Sequence, residues 1–202
     1  MSTFDVQAKV RHVLEREAAA IREIRVDATY EAAIEALRLC TGKVIATGMG
    51  KAGFLARKFA ATLSSTGTPA VFIHPAEAAH GDLGMIAPDD LIVAFSTSGK
   101  TREIIELIEL SRHITTARVI CITSHPESDL RQLSDIVLDM GVIEEPCPLG
   151  LTPSASMAAM AAIGDALVLT LMELKGVTRR EYGLRHHGGY LGHKARLEND
   201  VE

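Results

Sequence analysis

The stretch "LIVAFSTSGKTREIIEL", residues 91–107, decides how the rest of the chain is read. Leu91 to Phe95 form an unbroken apolar run, which fits a strand buried on both faces as in a parallel sheet. Ser96, Thr97, Ser98, Gly99 and Thr101 follow, and a helical pattern begins at Glu103. One hydroxyl suffices to cap a helix by accepting from a free N–H group. Four hydroxyls with a glycine also fit a cradle for an anion such as phosphate, held by N–H groups, hydroxyls and the positive end of the helix dipole. These residues alone leave the plain turn and the cradle equally open, because Ser- and Thr-rich loops are common.

The same strand-to-helix pattern recurs outward from this point. "KVIATGMG" (43–50), "AVFIH" (70–74), "RVICITS" (118–124) and "DIVLDMG" (135–141) are further short runs rich in Val and Ile. Between the runs stand helical patterns at 51–65, 103–113 and 127–134, and a long apolar helix is expected over about 154–175. Val6, Val10, Val13, Leu14, Ile34 and Leu37 lie at helical spacing among charges, so one or two amphipathic helices open the chain. Alternating strands and helices predict an α/β fold, an open doubly wound five-stranded parallel sheet flanked by helices. Residues 1–40 are read as N-terminal helices, and 41–202 as the sheet, its covering helices and a C-terminal site segment, all in a single domain.

In such sheets ligands bind where strands end and helices begin. "GMGKAG" (48–53), after the first strand, offers Gly48 and Gly50 for close backbone approach and places Lys51 at a helix start. It matches neither the Rossmann fingerprint nor the Walker loop, and no acidic residue ends "AVFIH" to hold an NAD ribose. Set beside "STSGKT", it fits two loops converging on one phosphorylated ligand.

Composition excludes several classes. A formal net charge of −5, with no basic cluster interleaved with aromatics, argues against nucleic acid. "ASMAAMAAIGDALVLTLMEL", broken by Gly164 and Asp165, reads as a buried helix and not as a membrane span. The charged N-terminus lacks an apolar signal region, and Cys40, Cys121 and Cys147 are odd in number and far apart, so a cytoplasmic chain with reduced thiols is expected.

"GMGKAG" paired with "SxSGxT" resembles the sugar isomerase (SIS) domain family, whose members bind phosphosugars. "STGTPAVFIHPAEAAHGDLGMI" (65–86), "EEPCPLGLTPSASMAAMAAIGDALVLTLMELKG" (144–176) and "YGLRHHGGYLGHKARLEND" (182–200) are similar to its arabinose-5-phosphate isomerase type. The sequence departs from that pattern at Lys100, where the family commonly has an acid, at His187, where it has proline, and at Tyr190, where it has a small residue. It stops at Glu202, where longer members continue into CBS repeats, so none is expected.

The resemblance implies interconversion of ribulose 5-phosphate and arabinose 5-phosphate through an enediol, for Kdo synthesis. Such a reaction needs a base, a group that polarises the carbonyl and a grip on the phosphate, but no cofactor and no metal. Ser96, Thr97, Ser98 and Thr101, with Gly48, Gly50, His74 and Glu77, are the expected substrate-binding residues. Lys51, Glu103, Glu145, His80 and His186 are the expected catalytic ones, with Glu145 preferred as base, His80 or Glu103 as the competing choice, and His186 handling the hydroxyl or ring oxygen. Plainer readings stand beside these: Lys51 as a solvated lysine, Glu103 as a helix-start residue, Glu77 as a loop brace. His80 and His186 are read in glycine-flanked, non-helical motifs. The resemblance further implies a homotetramer whose subunits complete each other's sites. Isomerisation of a different phosphosugar, or non-catalytic phosphosugar binding, is the alternative.

Overall fold

The computed structural model describes residues 4–197. α1 (Val6–Arg22) and α2 (Ala28–Leu39) lead into β1 (Val44–Gly48), α3 (Gly50–Ser65), β2 (Ala70–Ile73), α4 (Pro75–Ala78) and a 3-10 turn (Asp82–Met85). β3 (Leu91–Phe95), α5 (Arg102–Ser111), β4 (Arg118–Thr123), α6 (Asp129–Gln132), β5 (Ile136–Asp139), α7 (Ala155–Leu174), α8 (Arg179–Arg185) and α9 (Gly189–Leu197) follow. The five strands lie in the order β2-β1-β3-β4-β5, and every neighbouring pair is parallel.

Successive side chains of a strand point to opposite faces, and the apolar runs use both. Val44, Ala46, Leu91, Val93, Phe95, Ile120 and Ile122 face a core shared with α2, α3 and α7. Ile45, Ile92, Ala94, Val119 and Cys121 face a second core built with Ile104, Leu107 and Ile108 of α5 and Leu130 of α6. Helices on both faces explain why these strands read as continuous apolar runs without alternation. α7 is long and apolar enough to cross a membrane by length and composition, yet half of its most apolar stretch is buried in the fold. The expected doubly wound sheet and opening helices are therefore present. "RHHGGYLG", read as non-helical, is corrected: His186 is the C-cap of α8, and α9 begins at Gly189.

At the amino edge of the sheet Asp90 ties the entries to β1 and β3 together. Its side chain is 1% exposed, and its oxygens accept from the Lys43 N–H at 2.8 Å, Lys43 Nζ at 2.7 Å and the Ala87 N–H at 2.8 Å. Burial alone would push the carboxyl up, but these hydrogen bonds and the Lys43 charge together hold it below the ordinary aspartate value. Because the folded group titrates below the unfolded one, its stabilisation is complete above the unfolded value of about 4 and is lost as pH falls through the folded value. Asp90→Asn should therefore flatten the acid limb of a stability-versus-pH curve measured by urea unfolding. Asp90→Ala, which strands three donors, should cost about 2–3 kcal/mol at neutral pH. An unchanged acid limb in Asp90→Asn would contradict this assignment.

Candidate active site

β1 and β3 are neighbours, but the helices that leave them pack on opposite faces, α3 in the first core and α5 in the second. Where the winding diverges, the carboxyl ends of the strands open into a crevice. A cleft of about 260 Å³ lies there. Met49, Lys51 and Ala52 form one wall, Ser96, Thr97, Ser98 and Thr101 the other, and Phe95, Pro153 and Met157 close it.

Both helices that start at the cleft lack a side-chain cap. Met49 at the N-cap of α3 has no acceptor to offer, and Thr101 at the N-cap of α5 makes no cap bond. Asp5, Asp27 and Thr178 cap α1, α2 and α8 with their side chains, whereas α4, α6 and α7, like α3 and α5, receive no bond from their own N-cap side chain. The first N–H groups of α3 and α5 are thus left for solvent or a ligand. An anion placed there gains about 0.3–1 kcal/mol from each exposed dipole. Gly53 lets α3 start tight against the strand end, since a Cβ on it would lie 2.6 Å from the Gly48 carbonyl oxygen.

Charge points the same way. The side chains of Lys51, Lys100 and Arg102 are exposed, and among the described residues none is bonded or ion-paired. A cation beside a helix N-terminus is unfavourable. Of the three, Lys51 lines the cleft, while Lys100 and Arg102 flank the start of α5, whose first turn also carries the Glu103 carboxylate.

The four hydroxyls of the loop are not equivalent. Ser96 is 3% exposed, its Oγ accepts from the Gly99 N–H at 3.1 Å, and it lies 3.1 Å from Thr101 Oγ1. Its hydroxyl is engaged in folding the loop. Ser98 Oγ accepts from the Lys100 N–H at 3.2 Å and is exposed to solvent, as Thr97 is in part. Glu103 sits half-buried in the first turn of α5, with no side-chain partner among the described residues.

Glu145 reaches the same region from the β5–α7 connection. Its Oε2 accepts from the N–H groups of Ser154 at 2.8 Å and Ala155 at 2.9 Å, and its Oε1 from that of Ser156 at 3.2 Å. Glu145 thereby caps α7 beside Pro153 and Met157 of the cleft. Ser154, at the N-cap, makes no cap bond, and its hydroxyl donates to Glu17 of α1. Glu144 is exposed and pairs with Arg16 at 3.4 Å. In the same connection the N–H groups of Thr152 and Leu151, each 3.1 Å from Cys147 Sγ, hold that thiol down to about 7 against the effect of burial.

His74, Glu77 and His80 follow β2 at the same edge of the sheet but do not line the cleft. His74 is the N-cap of α4, with Nδ1 buried and unpartnered and its ring edge-on to Phe72 at 6.3 Å. Glu77 and His80 are exposed. Among the described residues no group of three or more His, Cys, Asp or Glu side chains is placed to hold a metal ion.

His186 lies elsewhere. α7 carries the chain about 30 Å by helical rise from the cleft to the amino edge, where Lys175 Nζ donates to Thr68 Oγ1 at 2.9 Å. α8 then places the Arg185 guanidinium over Gly67, in the loop that precedes β2. The His186 ring stacks on Tyr182 at 4.3 Å and 14°, and its Nδ1 is buried without a partner among the described residues. One copy of the chain does not bring His186 to Lys51 and the hydroxyl loop.

Comparison with known proteins gives the family and the fold. Residues 39–170 match the SIS domain family model. The chain is 44% identical over 201 residues to arabinose 5-phosphate isomerase KdsD of Escherichia coli K12, covering 98% of this chain and 61% of that one. It therefore spans about three-fifths of that relative's length. A Bacteroides fragilis structure described as a phosphosugar isomerase involved in capsule formation superposes with a TM-score of 0.89 at 43% identity, covering 92% of this chain and all of that one. An Escherichia coli CFT073 protein solved in complex with arabinose 5-phosphate superposes with a TM-score of 0.87 at 38% identity, again over 92% of this chain and 100% of the other.

Proposed function

The chain belongs to the SIS domain family, and on that premise we propose that it is an aldose–ketose isomerase interconverting D-ribulose 5-phosphate and D-arabinose 5-phosphate, in supply of Kdo. The observation that carries the reading is the cleft between two helix N-termini without side-chain caps, lined by Lys51 and by the hydroxyl residues Ser96, Thr97, Ser98 and Thr101. The arabinose 5-phosphate held by the Escherichia coli relative supports the choice of sugar.

In this reading the phosphate rests on the first N–H groups of α5 and the hydroxyls of Thr97, Ser98 and Thr101. Each charge-assisted hydrogen bond of this kind is worth about 1.5–3 kcal/mol. Ser96 shapes the loop, and the backbone at Gly48 and Gly50 allows the sugar a close approach. With the phosphate fixed, C1 and C2 stand near Lys51, whose charge stabilises the enediolate oxygen as it forms. A base removes a proton from C1 of the ketose while the C2 oxygen gains one. The enediol then collapses by protonation at C2 and loss of the O1 proton.

Two carboxylates are candidates for the carbon proton, Glu103 in the first turn of α5 and Glu145 at the start of α7, and neither lines the cleft itself. Three of the four lone-pair sites of the Glu145 carboxylate already accept backbone N–H groups, which leaves one on Oε1 for the carbon proton. Glu103 has no such commitment. His186 opens the aldose ring, and it must come from another subunit, because its own lies at the far end of the sheet. His74, Glu77 and His80 border the sugar from the β2 side.

Assembly follows from the same argument. Phe4, Val6, Val10 and Leu14 form a stripe along the start of α1, 74%, 61%, 54% and 61% exposed. A second copy covers it in the homotetramer we propose, a cytoplasmic enzyme with three free cysteines that needs no metal or redox cofactor. A related phosphosugar is the second reading, favoured by the exposed cation of Lys100 beside the hydroxyl loop.

Proton NMR of ribulose 5-phosphate with the protein in heavy water should show arabinose 5-phosphate appearing and deuterium entering at C1. No turnover with this ketose, but turnover with another phosphosugar, would move the assignment to the second reading. The variant that loses exchange at C1 by about 10² or more, Glu103→Gln or Glu145→Gln, identifies the base. Exchange at the wild-type rate in both variants would exclude the carboxylates. Sedimentation at micromolar concentration should give a tetramer that Leu14→Asp dissociates, and a monomeric wild type would contradict the shared site.

A further inference from the structure

The connection between β4 and α6 lies directly behind the hydroxyl loop. The Thr97 carbonyl oxygen accepts from the Ser124 N–H at 3.0 Å and the His125 N–H at 3.3 Å, and the Gly99 carbonyl oxygen accepts from the Leu130 N–H at 3.2 Å. Thr123 Oγ1 adds a long contact to the Thr97 carbonyl oxygen at 3.4 Å. None of these bracing residues lines the cleft.

At the centre of this support stand Gly99 and Ser128. Gly99 has φ +61°, and a Cβ on it would fall on the Ser128 hydroxyl, 2.7 Å from Ser128 Cβ and 2.9 Å from Thr123 Oγ1. Ser128 is 5% exposed, and its hydroxyl has no hydrogen-bond partner among the described residues. It occupies the N-cap position of α6 yet makes no cap bond, so capping does not account for it. A buried hydroxyl without a partner is unfavourable, and native structures rarely keep one without a use.

Building on the anion-binding reading above, we propose that Ser128 is a positioning residue for the phosphate. Its hydroxyl is held against Gly99 and gains its missing bond, to the backbone of the 97–99 loop, when that loop tightens on an anion. The Gly99 position admits no side chain because this contact is made through the backbone. The hydroxyl thus favours the liganded form of the loop over the empty one, which is what a ligand needs in order to bind more tightly.

The test separates this role from a structural one. Full-length protein and Ser128→Ala are compared by thermal melting, by titration with inorganic phosphate, and by kinetics with ribulose 5-phosphate. Without phosphate, Ser128→Ala should melt at the wild-type temperature or slightly above, since the hydroxyl it removes is unpaired. Its phosphate Kd and its KM should both rise about five- to tenfold, the worth of one neutral hydrogen bond, with kcat within about twofold. Phosphate should raise its melting temperature less than that of the wild type. Unchanged phosphate affinity overturns the proposal, as does a lower melting temperature with no change in affinity, which marks a structural hydroxyl. A wild type that binds phosphate but does not isomerise the sugar removes the isomerase reading and leaves this comparison standing. A wild type that binds no phosphate at millimolar concentration overturns both.

Discussion

Two parallel strands lie side by side while the helices that follow them leave to opposite faces, and everything at the site depends on that divergence. α3 must bury Ala56, Phe59, Ala60 and Leu63 against α7, and α5 must bury Ile104, Leu107 and Ile108 on the other side. Neither helix can then fill the space above the ends of β1 and β3. Both nevertheless begin there, so their free N–H groups and positive dipole ends face one small volume. Met49 cannot cap, Thr101 turns its hydroxyl to Ser96, and Lys51 in the cleft wall adds positive charge, against which the first turn of α5 sets the Glu103 carboxylate. An anion satisfies the free N–H groups and the lysine charge at once.

α7 links this end of the molecule to the other. Its N-terminus is held at the cleft by the Glu145 carboxylate, and its C-terminus delivers α8 and α9 to the amino edge. The same carboxylate spends three of its lone-pair sites on backbone bonds, whereas Glu103 has no side-chain partner among the described residues. The distance that α7 spans also explains why His186 stacks on Tyr182, far from the chemistry of its own chain. Both the exposed stripe on α1 and the displaced histidine are understood if the functional unit contains more than one copy.

The strands were legible because Val and Ile runs buried on both faces have few other solutions, as at Val44–Gly48 and Leu91–Phe95; their order in the sheet was not. The hydroxyl loop was legible for its excess of capping residues over what one helix needs. The roles inside it were not, because nothing in "STSG" distinguishes Ser96, which folds the loop, from Ser98, which faces solvent. α8 and α9 were hidden by their shortness and by the glycines at 188 and 189, although Thr178 with Glu181 is a capping box that a closer reading could have found. Glu145 as the cap of α7 and Ser128 behind Gly99 are long-range contacts, set by how loops fold back onto the sheet, and no local pattern encodes them.

The central claim is that the heads of α3 and α5 together make the anion site, and backbone amide shifts report on it most directly. In ¹H–¹⁵N spectra of the labelled protein titrated with inorganic phosphate, the amides of residues 50–53 and 97–103 should move together and saturate with one dissociation constant. Shifts confined to one of the two helix starts, or centred on the amino edge around Asp90 and Arg118, would contradict the account.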